Sequence, residues 1–157
     1  MVSDNIGIYL SGLRSAEKEV RALSMENLVK TGTSAVSDLQ TLLEDDNWVI
    51  RYRAAEALGG IGDIGSIDPL IRLTSDPKDH VRYMATKSLG RMQDPRVVPV
   101  LTRMLSDDHS YTRRIAADGL SMSGDNTIVD LLQEAMKHES DPDVHASLSA
   151  AIKKLEK

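Results

Sequence analysis

One sentence is written three times in this chain. "WVIRYRAAEALG" at 48–59 returns as "DHVRYMATKSLG" at 79–90 and, more worn, as "SYTRRIAADGLS" at 110–121. Aligned on their arginines, Arg51, Arg82 and Arg113 stand 31 residues apart. The frame reaches back to Arg21 and forward to His145, so the successive spacings are 30, 31, 31 and 32 residues. Periods of this size mark stacked repeats, in which no unit buries its apolar face alone.

Each column of the frame has a physical meaning. Seven residues after the anchor comes Leu28, Leu58, Leu89, Leu120 or Ile152, and six before it Asp45, Asp76 or Asp107. Ile50, Ala54, Ala57, Leu58 and Ile61 share one face of a 3.6-residue helix. The Ala54–Ala55 pair leaves room for a close neighbour. Thr33, Asp63, Asp94 and Asp125, twelve residues after the anchor, fit helix N-caps. Pro95 suits a first helical position, and Gly32, Gly62 and Gly124 suit tight turns.

The pattern predicts ten helices, near 5–13, 16–30, 34–44, 47–60, 64–75, 78–91, 95–105, 109–122, 126–138 and 142–155. Paired, they give five units, about 1–30, 31–61, 62–92, 93–123 and 124–157, of a single all-α, right-handed α-solenoid. End units face water and should depart from the frame. Ser15 replaces the first Asp, and Glu139 and His145 replace the last Asp and Arg. "HASLSAAIKKLEK" is apolar on one side only and reads as a cap.

The string D-x-x-x-x-VR-x-x-A-x-x-x-LG…D-P-x-x-V-P-x-L resembles HEAT-like repeats of the phycobilisome (phycocyanobilin) lyase type. That resemblance implies an Asp–Arg ladder linking neighbouring repeats, here Asp45–Arg51, Asp76–Arg82 and Asp107–Arg113, with a structural role. It also implies that the second helix of each pair lines the concave surface. The fold serves many unrelated tasks, so function must be argued from the site.

The letters that change lie opposite the buried face. They include Trp48, Val49, Tyr52, Arg53, Glu56 in unit two, His80, Tyr83, Met84, Lys87, Arg91 in unit three, and Tyr111, Arg114, Ile115, Asp118 in unit four. Phe is absent, and four of the five aromatic residues fall in this set, with Tyr9 outside it. Trp, Tyr and Arg dominate interface hot spots, and Met adds an adaptable apolar contact. The set therefore reads as a concave strip for a protein or peptide partner. The alternative is that these side chains cover gaps between repeats. The Trp48–Tyr52 patch is also a candidate self-association surface.

Other chemistry finds little support. With no cysteine, disulfides, thiolate metal sites and cysteine nucleophiles are excluded. His80, His109, His138 and His145 show no ligand pairing at i, i+4, and no cofactor or metal is expected. Deoxyhypusine hydroxylases are built from similar repeats and bind iron through several His-Glu pairs. Here only His138–Glu139 matches. "GGIGDIG" at 59–65 follows a helix and lacks the G-K-[ST] ending of a phosphate loop. A formal charge of −5 argues against a nucleic-acid partner. No apolar run has the ~18 residues of a membrane span, and the N-terminus lacks a signal-peptide pattern. The expectation is a non-enzymatic cytoplasmic scaffold, with a bilin-lyase-like subunit or chaperone as the alternative.

Overall fold

A computed structural model describes residues 5–157. Ten α-helices follow one another: α1 (Ile6–Gly12), α2 (Lys18–Thr31), α3 (Val36–Leu42), α4 (Trp48–Ile61), α5 (Ile67–Leu73), α6 (Asp79–Met92), α7 (Val97–Met104), α8 (Ser110–Leu120), α9 (Val129–His138) and α10 (Pro142–Leu155). Each odd-numbered helix packs on the even-numbered helix that follows it. The even-numbered helices then stack on one another, α4 on α6, α6 on α8 and α8 on α10. The odd-numbered helices touch one another only sparsely. The closely packed layer has the shorter radius, so the even-numbered helices form the inner, concave side.

The close packing has a residue-level cause. A Cβ built on Gly59 would lie 2.3 Å from Ser88 Oγ, and one on Gly90 would lie 3.1 Å from Gly119 Cα. The residue eight after one anchor thus meets the residue six after the next. Glycine, serine and alanine there let helix backbones approach. Leu28, Leu58, Leu89 and Leu120 are fully buried, with Ala54, Ala85 and Ala116 beside them. Burying each leucine contributes about 1.5–3 kcal/mol.

The outer helices begin later than the pattern predicts. Asp63 and Asp125 do cap, accepting from Gly65 N and Thr127 N, but each opens a short 3-10 turn before the α-helix starts. Asp94 likewise accepts from Arg96 N at 2.9 Å, and Pro95 lies in that turn rather than at a first helical position. Thr33 is a correction: it sits inside the 3-10 turn Gly32–Ala35, whose start has no side-chain cap. Gly32, Gly62 and Gly124 take positive φ (68°, 72° and 68°), and Gln93 adopts φ 49° at the equivalent place.

Candidate functional site

The ladder runs between repeats. Arg51 grips Asp76 of the following repeat with Nε–H and Nη2–H, at 2.7 and 2.9 Å. Its Nη1 donates to the Asp45 carbonyl of its own repeat at 2.8 Å. Arg82 does the same with Asp107 and the Asp76 carbonyl. Arg113 grips Glu139 at 2.8 and 3.0 Å and donates to the Asp107 carbonyl. The expected side-chain pairs Asp45–Arg51, Asp76–Arg82 and Asp107–Arg113 are therefore corrected. Six residues back in sequence, the arginine finds a backbone oxygen, and its carboxylate partner lies 25 or 26 residues ahead.

Each carboxylate also accepts a backbone N–H in its own turn: Lys78 N to Asp76, His109 N to Asp107 and Asp141 N to Glu139. The acceptors' side chains are only 5–7% exposed. Hydrogen bonds to these carboxylates push the Arg51, Arg82 and Arg113 pKa values up, and Arg113 holds Glu139 below the ordinary carboxylate range. The ladder's first carboxylate, Asp45, is met by Arg14. Arg21 donates instead to the Ser15 and Ala16 carbonyls.

On the concave side the variable positions divide in two. Tyr52 of α4, Asp79, His80 and Tyr83 of α6, His109 just before α8, and Tyr111 and Thr112 of α8 line one cleft of about 290 Å³. Trp48 joins at its edge, its ring 5.3 Å from that of His80 and tilted by 48°. Tyr111 is exposed, Trp48 largely so, and Tyr52 and Tyr83 half-buried. Burial, with Glu56 nearby, raises the Tyr52 pKa and keeps its hydroxyl a donor.

Asp79 is the hub of this cleft. His80 Nδ1 lies 3.1 Å from one of its oxygens, His109 Nε2 lies 3.3 Å from the other, and Lys78 Nζ is 3.4 Å away. Hydrogen bonding from His80 pulls the Asp79 pKa far below the usual carboxylate range, against a smaller opposing effect of burial. Cations flank the rings: Lys78 over Trp48 at 5.1 Å, Lys87 over Tyr83 at 5.8 Å and Arg114 over Tyr111 at 5.7 Å. The Thr112 hydroxyl is fully buried beside the cleft without a hydrogen-bond partner, where the equivalent residues are Ile50, Val81 and Val144.

Three expected strip residues turn elsewhere. Met84 is 3% exposed and belongs to the core, which corrects its placement on the groove. Arg53, in the same column, is half-buried and donates to the Leu13 carbonyl of the first repeat, and burial lowers its pKa. Ile115, third in the column, is half-buried too. This column, two residues after the anchor, faces the preceding repeat. Val49, Glu56, Lys87 and Arg114 are half-buried, and Arg91 and Asp118 are exposed.

Sequence reasoning missed the meeting of His80 and His109. They are 29 residues apart, so only the repeat period could have brought them together. Their shared acceptor, Asp79, stood among the variable positions without a stated role. His138 and Glu139 point to different partners, Glu134 and Arg113. Among the described residues, no group of three His, Asp or Glu side chains is arranged to hold a metal ion. None of their helices is long and apolar enough to cross a membrane.

The profile of HEAT repeats matches residues 9–83 and 67–153. The chain belongs to the HEAT-repeat family. No curated protein sequence is significantly similar to it. The complex of CpcE and CpcF of phycocyanin lyase from Nostoc sp. PCC7120 contains a similar HEAT solenoid, with 23% identity, TM-score 0.86 and coverage of 95% of this chain and 98% of that one. Human deoxyhypusine hydroxylase in complex with glycerol is similar at 27% identity and TM-score 0.65, over 78% of this chain and 44% of that one. A designed armadillo repeat protein in complex with the peptide (KR)4 matches at 16% identity and TM-score 0.65, over 98% and 85%. At such identities the likenesses to the lyase complex and to the designed protein establish the HEAT solenoid's fold alone.

Proposed function

We propose that this HEAT solenoid is a non-enzymatic binding module that holds a segment of another polypeptide, a helix or an extended strand, in its concave cleft. One observation carries the reading: three successive inner helices deliver Tyr52, Tyr83 and Tyr111 to a single cleft built around Asp79. Tyrosines offer large amphipathic area at modest entropic cost. The surrounding charges have both signs, with Lys78, Lys87, Arg91 and Arg114 against Glu56, Asp79 and Asp118, which suits a mixed-charge polypeptide better than a polyanion. The buried, unpaired Thr112 hydroxyl adds a polar group to the cleft's lining.

The test pairs Trp48→Ala with Tyr83→Ala in affinity purification from native extract. The folded double variant should lose the partners that the wild type retains. Retention of every partner by the double variant would remove the cleft from consideration.

A second reading rests on the likeness to the CpcE–CpcF complex, which spans nearly the whole of both chains. In that reading the protein is a lyase-type subunit, or a chaperone, in chromophore attachment. Having no cysteine, the chain could not carry a bilin through a thiol of its own. Mixing with free bilin should change the pigment's visible absorbance if this reading holds, and leave it unaltered otherwise.

A further inference from the structure

The repeat register shows where one solenoid end lacks its cover. Three columns of each inner helix face the preceding repeat: those one before, two after and six after the anchor. One before the anchor stand Ile50 (2% exposed), Val81 (0%), Thr112 (0%) and Val144 (1%). In the first repeat the same column holds Val20, 39% exposed. Two after the anchor, Met84 is buried and Arg53, Ile115 and Ser147 are half-buried, whereas Leu23 is 60% exposed. Val20 and Leu23 lie three residues apart on one face of α2. The apolar interface that joins every repeat to its predecessor thus continues onto the N-terminal end and stops there, open.

The occupant is not another repeat stacked in register. Such a repeat would bring an arginine toward position 15, and Ser15 has no carboxylate to receive it. It would also need a small residue six after the anchor. Later repeats supply Ala57, Ser88, Gly119 and Ala151 there, but the first has Asn27. The chain's own C-terminal end fits no better. Lys153 occupies the column where Gly59 and Gly90 admit a neighbouring backbone, and His145 replaces the ladder arginine.

We infer that the Val20–Leu23 face of α2 is the contact surface of a two-fold dimer, in which the N-terminal ends of two copies meet α2 to α2. An apolar patch can cover itself in this way, because a two-fold axis sets the same surface on both partners. The patch is small beside the roughly 800 Å² per partner of a stable complex, so the dimer exchanges with monomer and forms as concentration rises. Each dimer carries two clefts.

Sedimentation velocity across a concentration series reads this directly. The wild type should pass from monomer to dimer, and Leu23→Lys should remain monomeric with unchanged helicity, since Leu23 is exposed. Because the chain has no cysteine, a lone Leu23→Cys reports the symmetry. Oxidation should cross-link position 23 to position 23, whereas Lys153→Cys at the other end should not cross-link. Trp48→Ala should dimerise like wild type even where it loses cleft partners, which separates this inference from the proposed function. A wild type monomeric at every concentration, open-ended head-to-tail polymers, or a dimer lost in Trp48→Ala but kept in Leu23→Lys would each overturn it.

Discussion

The same inner helices carry two edges with opposite habits. Along one, Arg51, Arg82 and Arg113 repeat a single arrangement almost atom for atom, each tying its own turn to the next carboxylate. Along the other, equivalent positions hold Trp48, Asp79 and Ser110, or Val49, His80 and Tyr111. The repeated edge makes interactions that every junction of the stack needs. The varied edge makes contacts no junction needs, and its side chains converge on one cleft. Constancy across repeats therefore marks load on the fold, and variation marks freedom to recognise something.

The largest expected effect comes from the repeated edge. Arg82→Ala leaves the Asp107 carboxylate, 5% exposed, without its bidentate partner and frees the Asp76 carbonyl. Loss of about 3–5 kcal/mol is expected for an uncompensated buried charge, read by denaturant or thermal unfolding. An unchanged melting curve would deny the ladder its structural role. Partner binding by the folded fraction should persist.

Next comes the last rung, where pH enters. Arg113 depresses the Glu139 pKa, so between the folded and unfolded pKa values the native state binds fewer protons than the unfolded one. The pair's contribution is thus fully present above about pH 4.5, near the unfolded value, and is lost as pH falls through the lower folded value. Glu139→Gln should lose about 1.5–3 kcal/mol at neutral pH, the range for a hydrogen bond to a charged group. Its unfolding midpoint should also fall less steeply in acid than that of the wild type.

A smaller effect is expected at the helix contact. Gly59→Ala places a methyl 2.5 Å from Ser88 Cβ, and Ser88 is held by its bond to the Ala55 carbonyl. Overpacking costs about 1–3 kcal/mol, and roughly 1 kcal/mol returns through alanine's helix propensity. A net loss near 1 kcal/mol in chemical unfolding is the expected outcome.

Much of this was legible because a repeat states its fold several times over. The five helix pairs and the buried leucine column follow from period and face alone. The ladder's true pairing was not legible. Asp76 stands six residues before Arg82, which suggests a local pair, but the turn between them directs the carboxylate back to Arg51 and leaves Arg82 a carbonyl. Met84 was misplaced because its column borders both groove and inter-repeat contact, and one helical position decides which side is buried. The cleft's aromatic walls were readable from variation within the frame. The Asp79 hub was not, since it needs Nδ1 of one histidine and Nε2 of another to reach the two oxygens of a single carboxylate.

Asp79→Asn should have the smallest effect on stability and tests the comparison most sharply. Asp79 resembles a ladder acid, since its pKa is depressed and several cations surround it. Its partners differ: His80 and His109 are 58% and 51% exposed, against 14–18% for the ladder arginines. Water competes for partners that open, so the substitution should change stability by less than about 1 kcal/mol, or a few degrees in Tm at most. Because the wild-type acid is favoured in the folded state only while ionised, any difference between the two proteins should vanish in strong acid. Partner capture at neutral pH should change well beyond that stability difference, because the variant removes the charge around which the cleft is organised. If Asp79→Asn instead destabilised the protein as much as Arg82→Ala, the varied edge would carry load as well, and variation among repeats would no longer single out the cleft.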